Sequence, residues 1–250
     1  MRKNCVLHDI KIEPVVGLIV AGVITFVWSS SLIFLLFIDI VQWMPLYFLP
    51  AILGRTFIQT GLFIVAHDAI HGVVLPSNRR LNDEIGRLAL TLYAFLPYKY
   101  LSINHDLHHQ NPGQVSDPDF HDGIHSDGFS WYLKFMKGYL DAKQRMVLLL
   151  WMSVVFYGFH LGFHIPIVNL VLFWLLPLIL SSMQLFFFGT YMPHRSPRPE
   201  NSTSNNAVSS NYPLILSFMT CYHFGYHWEH HEYPFLPWYK LPSAYFATKH

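Results

Sequence analysis

The stretch HFGYHWEHHEYPFLPW, residues 223–238, carries four histidines in its first nine positions. His227, His230 and His231 read H-x-x-H-H, which on a helix places them at i, i+3 and i+4, on one face. His223 lies at i−4 from His227, one turn back on the same stripe of a continuous helix. Imidazole is the commonest protein ligand for first-row metals. Two other stretches answer this one: HDAIH holds His67 and His71, and HDLHH holds His105, His108 and His109. His194, in YMPHRSP, is a ninth candidate and His223 a tenth. A tetrahedral site takes about four ligands, so eight to ten convergent imidazoles suit two ions. The isolated His8, His121, His125, His160, His164 and His250 read as hydrogen-bonded or solvated side chains.

The surrounding chain is that of a membrane protein. Of 250 residues 52% are hydrophobic and only 12% charged, with mean hydropathy +0.30; a soluble domain is about 25% charged. The length predicts a single domain over 1–250. A net charge of +1 leaves no broad basic face for nucleic acid. Cys5 and Cys221 form no C-x-x-C, and Cys221 reads as a small buried apolar residue. The polar start MRKNCVLHDIKIEP is not followed by a small-residue cleavage site, so no signal peptide is expected.

Four stretches are apolar and long enough to cross the hydrocarbon core, which needs about 20 residues. They are 15–38, 44–66, 146–165 and 167–192, with Pro166 at the turn between the last two. Arg55, Gln59 and Thr60 interrupt the second, and a charge there should face protein. Residues 86–98 are too short to cross and predict an interfacial or re-entrant helix. Residues 129–145 predict an amphipathic segment, and 195–211, rich in Ser, Asn and Pro, a mobile loop. Apart from Arg55, every Lys and Arg falls in 2–11, 79–99, 134–145 or 195–249. Basic loops stay cytoplasmic. The expected fold is therefore all-α, two transmembrane hairpins with both termini, and every histidine box, on the cytoplasmic side. On that topology the N-S-T at 201–203 is not a glycosylation site.

A nearly all-imidazole pair of metals at a membrane surface suits iron and dioxygen. The acids near the boxes are Asp68, Asp106, Asp117, Asp119, Glu229 and Glu232. A carboxylate accepting the far N–H of a ligating imidazole fixes its tautomer and orientation. Asp68, Asp106 and Asp117 are the three expected to act in the site; solvated surface charge is the competing reading of all six.

H-x-x-x-H followed by two H-x-x-H-H boxes over apolar hairpins resembles the membrane fatty acid desaturase and hydroxylase superfamily. Within it, AHDAIHG, GTYMPHR and CYHFGYHWEHHEYPFLPWYKLP resemble the bacterial and cyanobacterial β-carotene 4-ketolases, the likeness running from about Ala51 to Pro242. The resemblance implies two irons (zinc could replace them in a preparation), dioxygen, a ferredoxin-type electron donor, and β-carotene met in the bilayer. It implies two hydroxylations at ring carbon 4 and loss of water to a ketone, through echinenone to canthaxanthin. Carried over residue by residue, the ligands are His67, His71, His105, His108, His109, His194, His227, His230 and His231, with His223 a tenth ligand or a support for one. An acyl desaturase or hydroxylase of the same fold is an alternative. A non-catalytic metal-binding membrane protein is another, though transport would place ligands near the bilayer midplane.

Overall fold

The computed structural model describes residues 13–114, 116–138, 140–195 and 206–248. The polar N-terminal segment up to residue 12 with Cys5 and His8, most of the 195–211 loop including N-S-T, and His250 lie outside them. Among the described residues every regular element is helical.

Helix α1, Val16–Leu36, is apolar on all sides. It buries Gly17, Ala21, Ile24, Trp28 and Leu32, at helical spacing, against the core. Asp39 accepts the Val41 N–H at 3.1 Å and starts a short 3₁₀ turn. A second turn, Pro45–Tyr47, runs straight into α2, Phe48–Ile70. Helix α3, Arg79–Ala94, is capped by Asn78, whose side chain accepts the Leu81 N–H, and stops at left-handed Phe95. Its buried face packs along α2 so closely that a Cβ on Gly86 would lie 2.8 Å from the Ala69 Cβ and 2.3 Å from the Tyr98 ring. Helix α4, Tyr98–Gln110, follows after three residues of turn.

Helix α5, Gly128–Gly138, precedes α6, Ala142–Tyr157, which a π turn extends to Gly162. Asp141 and Gln144 form a capping box at the start of α6. Helix α7 is continuous from Ile167 to His194, with π-helical stretches at Val171–Leu175 and Phe186–Tyr191. Helices α8, Leu214–Cys221, α9, His227–Glu232, and α10, Leu241–Thr248, complete the chain.

Among the described residues four helices are long and apolar enough to cross a membrane: Val16–Leu36, Pro45–Ile70, Ala142–Gly162 and Ile167–His194. The third starts four residues before the expected 146, because the Asp141 cap rather than the end of the charges sets its first turn. The same cap divides the expected amphipathic segment 129–145 into α5 and the start of α6. The expected interfacial helix at 86–98 is corrected to Arg79–Ala94: the Asn78 cap draws charged residues into its first two turns, and its apolar face is buried on α2.

Arg55 faces protein as expected. It donates to the Phe173 carbonyl at 3.2 Å, the Trp28 carbonyl at 2.8 Å and Ser31 Oγ at 2.8 Å, binding α1, α2 and α7 together. Phe173 lies in a π stretch, where the widened turn loosens carbonyls from their helical partners. Gln59 accepts the Trp28 indole N–H and donates to the Tyr93 carbonyl, and Thr60 donates to Gln184 Oε1 and pairs with the Ser181 hydroxyl, each at 2.8 Å. Arg55, Gln59 and Thr60 thus find partners on neighbouring helices, as an apolar solvent favours.

Candidate metal centre

Four elements deliver histidines to one place. His67 stands in the last turn of α2 and His71 just past its end. His105, His108 and His109 stand on the last two turns of α4, His194 ends α7, and His227, His230 and His231 stand on α9. The nitrogens of His67, His71, His105, His109 and His230 all lie within 4.8 Å of one another. Those of His108, His194, His227 and His231 form a second such group.

Helix geometry explains the division. Residues at i and i+4 are neighbours on one face, while consecutive residues point about 100° apart. The pairs His67/His71 and His105/His109 therefore go to the first group, and His227/His231 to the second. The remaining box members, His108 and His230, turn to the opposite group from their own pair.

The spacing fits metal ions. Two ligands about 2.0–2.1 Å from one ion, at right angles, sit about 3 Å apart. Nε2–Nε2 distances are 2.8 Å for His71–His105 and 2.9 Å for His109–His230. They are 3.0 Å for His194–His227, 3.0 Å for His231–His227 and 3.1 Å for His231–His108. Hydrogen bonding among the rings does not account for this. The His108 Nδ1–H donates to both Asp117 oxygens at 2.9 and 3.0 Å, and the His194 Nδ1–H donates to the Asn206 carbonyl at 2.8 Å. In the neutral rings both inward Nε2 atoms are then lone pairs. A single hydrogen on His231 Nε2 cannot serve His108 and His227 at once. A cation between these nitrogens removes the conflict.

Electrostatics agree. Burial, reinforced by the neighbouring histidines, holds His105, His227, His230 and His231 well below the ordinary imidazole value and brings His109 to about 2. Burial, with Arg79 and His108, lowers His71 to about 4. These rings stay neutral and able to ligate. His108 is the exception: burial pulls it down, but the Asp117 hydrogen bond and the charges of Asp119 and Asp117 leave it raised.

The remaining expected site residues fall in different places. Asp117 is buried and also accepts the N–H groups of Gly113 and Asp119, so it is fixed against His108. Asp68 lies 3.6 Å from His67 Nδ1, beyond hydrogen-bond reach, and instead accepts the Trp238 main-chain N–H, tying the 233–238 turn to α2. Asp106 is exposed, and so is Glu232; Glu229 is buried and accepts from Ser209 Oγ. His223 belongs to neither histidine group. The expected stripe from His223 to His227 is corrected, because α9 begins only at His227. Tyr222 and His223 are left-handed, with φ 47° and 63°, in the turn after α8. The His223 ring lies between Tyr226 and Trp238 with Nδ1 3.2 Å from Ser217 Oγ, and burial brings its pKa to about 4.

A cavity of about 290 Å³ meets both groups, reaching His67, His105, His108 and His227. Phe63, Leu96, Phe135, Leu178, Leu185 and Phe224 line its length. Its lining also includes Met136 of α5 and Ile179 of α7, 42% and 55% exposed. Sequence reading missed these lining residues, and Asn206 as the acceptor for His194. Nothing in the local pattern distinguishes them from other apolar or loop positions.

The model of the fatty acid desaturase family matches residues 41–249. The chain belongs to the fatty acid desaturase family. It is 39% identical over 229 residues to the "Beta-carotene ketolase" of a Paracoccus sp., covering 91% of each chain. It is 42% identical over 196 residues to "Beta-carotene 4-ketolase 3" of Haematococcus lacustris, covering 75% of this chain and 59% of that one. It is 39% identical over 191 residues to "Zeaxanthin 4-ketolase" of Chlamydomonas reinhardtii, covering 75% of this chain and 42% of that one. The chain thus spans about half the length of these algal relatives and nearly all of the Paracoccus one. No solved structure matches it.

Proposed function

We propose that this desaturase-family protein is a β-carotene 4-ketolase, an oxidoreductase that places two oxygens in turn on ring carbon 4. The observation that carries the reading is an apolar cavity lined by histidines of both groups and, elsewhere, by the exposed side chains Met136 and Ile179. The ketolase names of its relatives point to the same substrate class. Two irons would be held by His67, His71, His105, His109 and His230, and by His108, His194, His227 and His231. When bound they supply the dioxygen chemistry that side chains lack, with electrons from a ferredoxin-type donor.

The chain's own part is binding, orientation and exclusion of water. Asp117 holds the His108 ring with its Nδ1 proton outward, and the Asn206 carbonyl does the same for His194. Phe224 packs 4.5 Å from the His67 ring and closes the cavity's inner wall. The volume accommodates one end ring rather than a whole carotenoid, near the lower end of the about 300–1,000 Å³ of ordinary ligand sites. The rest of the rigid polyene then stays in the bilayer, and the inserted ring meets the metals end-on. The single domain, the two hairpins and the cytoplasmic position of the site belong to the same proposal and are supported by the distribution of Lys and Arg.

Expression in a β-carotene-producing host tests the reading. Echinenone should form first and canthaxanthin later. Unchanged β-carotene beside altered acyl unsaturation would favour the desaturase alternative, and zeaxanthin alone would place the oxidation at carbon 3.

A further inference from the structure

A 4-ketolase must oxidise the same carbon twice, so the half-oxidised alcohol has to stay in place or return in the same pose. An apolar pocket does the opposite. Burying a hydroxyl without a partner costs roughly fivefold to a hundredfold in affinity, so the alcohol would be expelled. Something polar must meet it beside the metals.

Asp119 and Thr190, which belong to neither histidine group, are among the polar residues lining the cavity, with Tyr93, Tyr132 and Ser182. Asp119 and Thr190 are 6% and 5% exposed, and both face the cavity. Thr190 is four residues, one helical turn, before His194 on α7. Asp119 is two residues after Asp117, the carboxylate that holds His108. The His108 and His194 rings are 5.0 Å apart, so the chain segments that carry Asp119 and Thr190 lead to the same four-histidine group. Trp131 joins the two walls. Its indole N–H donates to the Asp119 carbonyl at 2.7 Å, and its ring packs 5.4 Å from Tyr191, next to Thr190.

The Asp119 main chain is pinned on both sides. Its N–H donates to Asp117 Oδ1 at 2.8 Å. The Lys134 ammonium donates to the carbonyls of Asp117 at 3.3 Å, Pro118 at 2.8 Å and Phe120. A carboxylate so held is a fixed feature of the cavity wall, as discrimination within a pocket requires.

We propose that Asp119 and Thr190 form a hydroxyl-binding corner that retains the 4-hydroxy intermediate and presents its remaining C–H to the metals. The inference rests on the ketolase reading. The alcohol O–H donates to the Asp119 carboxylate, and the Thr190 O–H donates to the alcohol oxygen. Each hydroxylation consumes one dioxygen, two electrons from the ferredoxin-type donor and two protons. It replaces a C–H by a C–OH and releases one water. The second leaves two hydroxyls on one carbon. One C–O bond then breaks, its oxygen leaves as water with the proton of the other hydroxyl, and the C=O forms.

The test uses the full chain in a β-carotene-producing host and purified in detergent. Thr190→Val exchanges the hydroxyl for a methyl of the same shape, Thr190→Ser restores it, and Asp119→Asn removes the charge. In Thr190→Val the ratio of 4-hydroxy to 4-keto carotenoid should rise about fivefold, the effect of one ordinary hydrogen bond, and in Asp119→Asn by at least as much. With purified protein the KM for added 4-hydroxy-β-carotene should rise by the same factor while that for β-carotene holds. Thr190→Ser should return the wild-type ratio, and metal content should be unchanged in both Thr190 variants. An unchanged product ratio in Thr190→Val with the metals retained overturns the proposal, whatever the total turnover. If Asp119→Asn fails to accumulate, the Val and Ser variants decide alone. If the wild-type chain makes no oxidised carotenoid, the ketolase reading itself fails.

Discussion

Replacing Asp117 by Asn should weaken one metal of the pair and leave the other alone. The Asp117 carboxylate accepts four contacts from three donors: both oxygens face His108 Nδ1, one takes the Gly113 N–H at 2.9 Å and the other the Asp119 N–H at 2.8 Å. An amide has one acceptor oxygen, and its NH₂ must then face a donor. At least one buried N–H loses its acceptor, at a cost of about 1–3 kcal/mol, and His108 loses the charge that favours its Nδ1–H tautomer. Partners of this kind change metal affinity by about 10- to 100-fold, or about 1.4 to 2.8 kcal/mol at 1.4 kcal/mol per factor of ten. The two ranges agree. Protein loaded with iron and purified in detergent would be titrated with a chelator and its metal content measured. In Asp117→Asn, one metal per chain should leave at a 10- to 100-fold lower chelator concentration. The other should leave at the wild-type concentration, because Asp117 touches none of the five histidines around it. Release of both metals together, or no change in either, would refute the assignment of His108 and Asp117.

Acid should separate the metals in the same order. His108 is raised above the ordinary imidazole value, while His71 and His109 are lowered to about 4 and about 2 and His105 and His230 lie well below normal. Protons compete for a ligand as pH falls through its pKa. The four-histidine group, which holds the one raised ring, should therefore release its metal at a higher pH than the five-histidine group; metal analysis after desalting at stepped pH reads this order. Arg55→Ala removes a buried side chain and leaves its acceptors on Trp28, Phe173 and Ser31 unmet. It should cost about 2–4 kcal/mol, seen as a lower melting temperature in detergent. The ligands should survive, because Arg55 lies twelve residues, about 18 Å, from His67 along α2. Cysteines placed at Gln42 or Ile167 should react with an impermeant reagent only from the non-cytoplasmic side, and one at Ser126 only from the cytoplasm; the reverse pattern would overturn the shared-face topology.

The spans were legible because a bilayer imposes a length and a polarity that composition reports directly. Val16–Leu36 and Ile167–His194 match the stretches expected from the run of apolar residues alone. The convergence of the box histidines was legible because a helix turns a spacing of four into a shared face. Caps and turns were read less well. Asn78 and Asp141 each moved a helix start, since a single side-chain acceptor can outweigh several residues of pattern. The left-handed turn at Tyr222 and His223 could not be anticipated, because neither residue is a glycine and the i−4 spacing to His227 is indistinguishable from a continuing helix. Asp106 shares its neighbourhood in sequence with Asp68 and Asp117 but faces out, because α4 turns it about 100° from His105.

The same 100° step says why two of the boxes are H-x-x-H-H while the first is H-x-x-x-H. A pair at i and i+4 serves one ion, and only an additional histidine at i+3 or i−1 can reach a second ion on the far side of that face. The second box has that extra residue in His108 and the third in His230, and each crosses to the opposite group. In the first box the corresponding position is Ile70, 8% exposed and packed in the apolar core, so α2 can feed only the five-histidine group. The second group would then hold His108, His227 and His231 alone. His194, brought in at the end of α7 and aimed by the Asn206 carbonyl, supplies its fourth nitrogen. The asymmetry of five and four follows from one apolar residue at position 70 and from a ligand that no box predicts. His223 stands outside both groups, each of which already gathers at least the four nitrogens that a closed site takes.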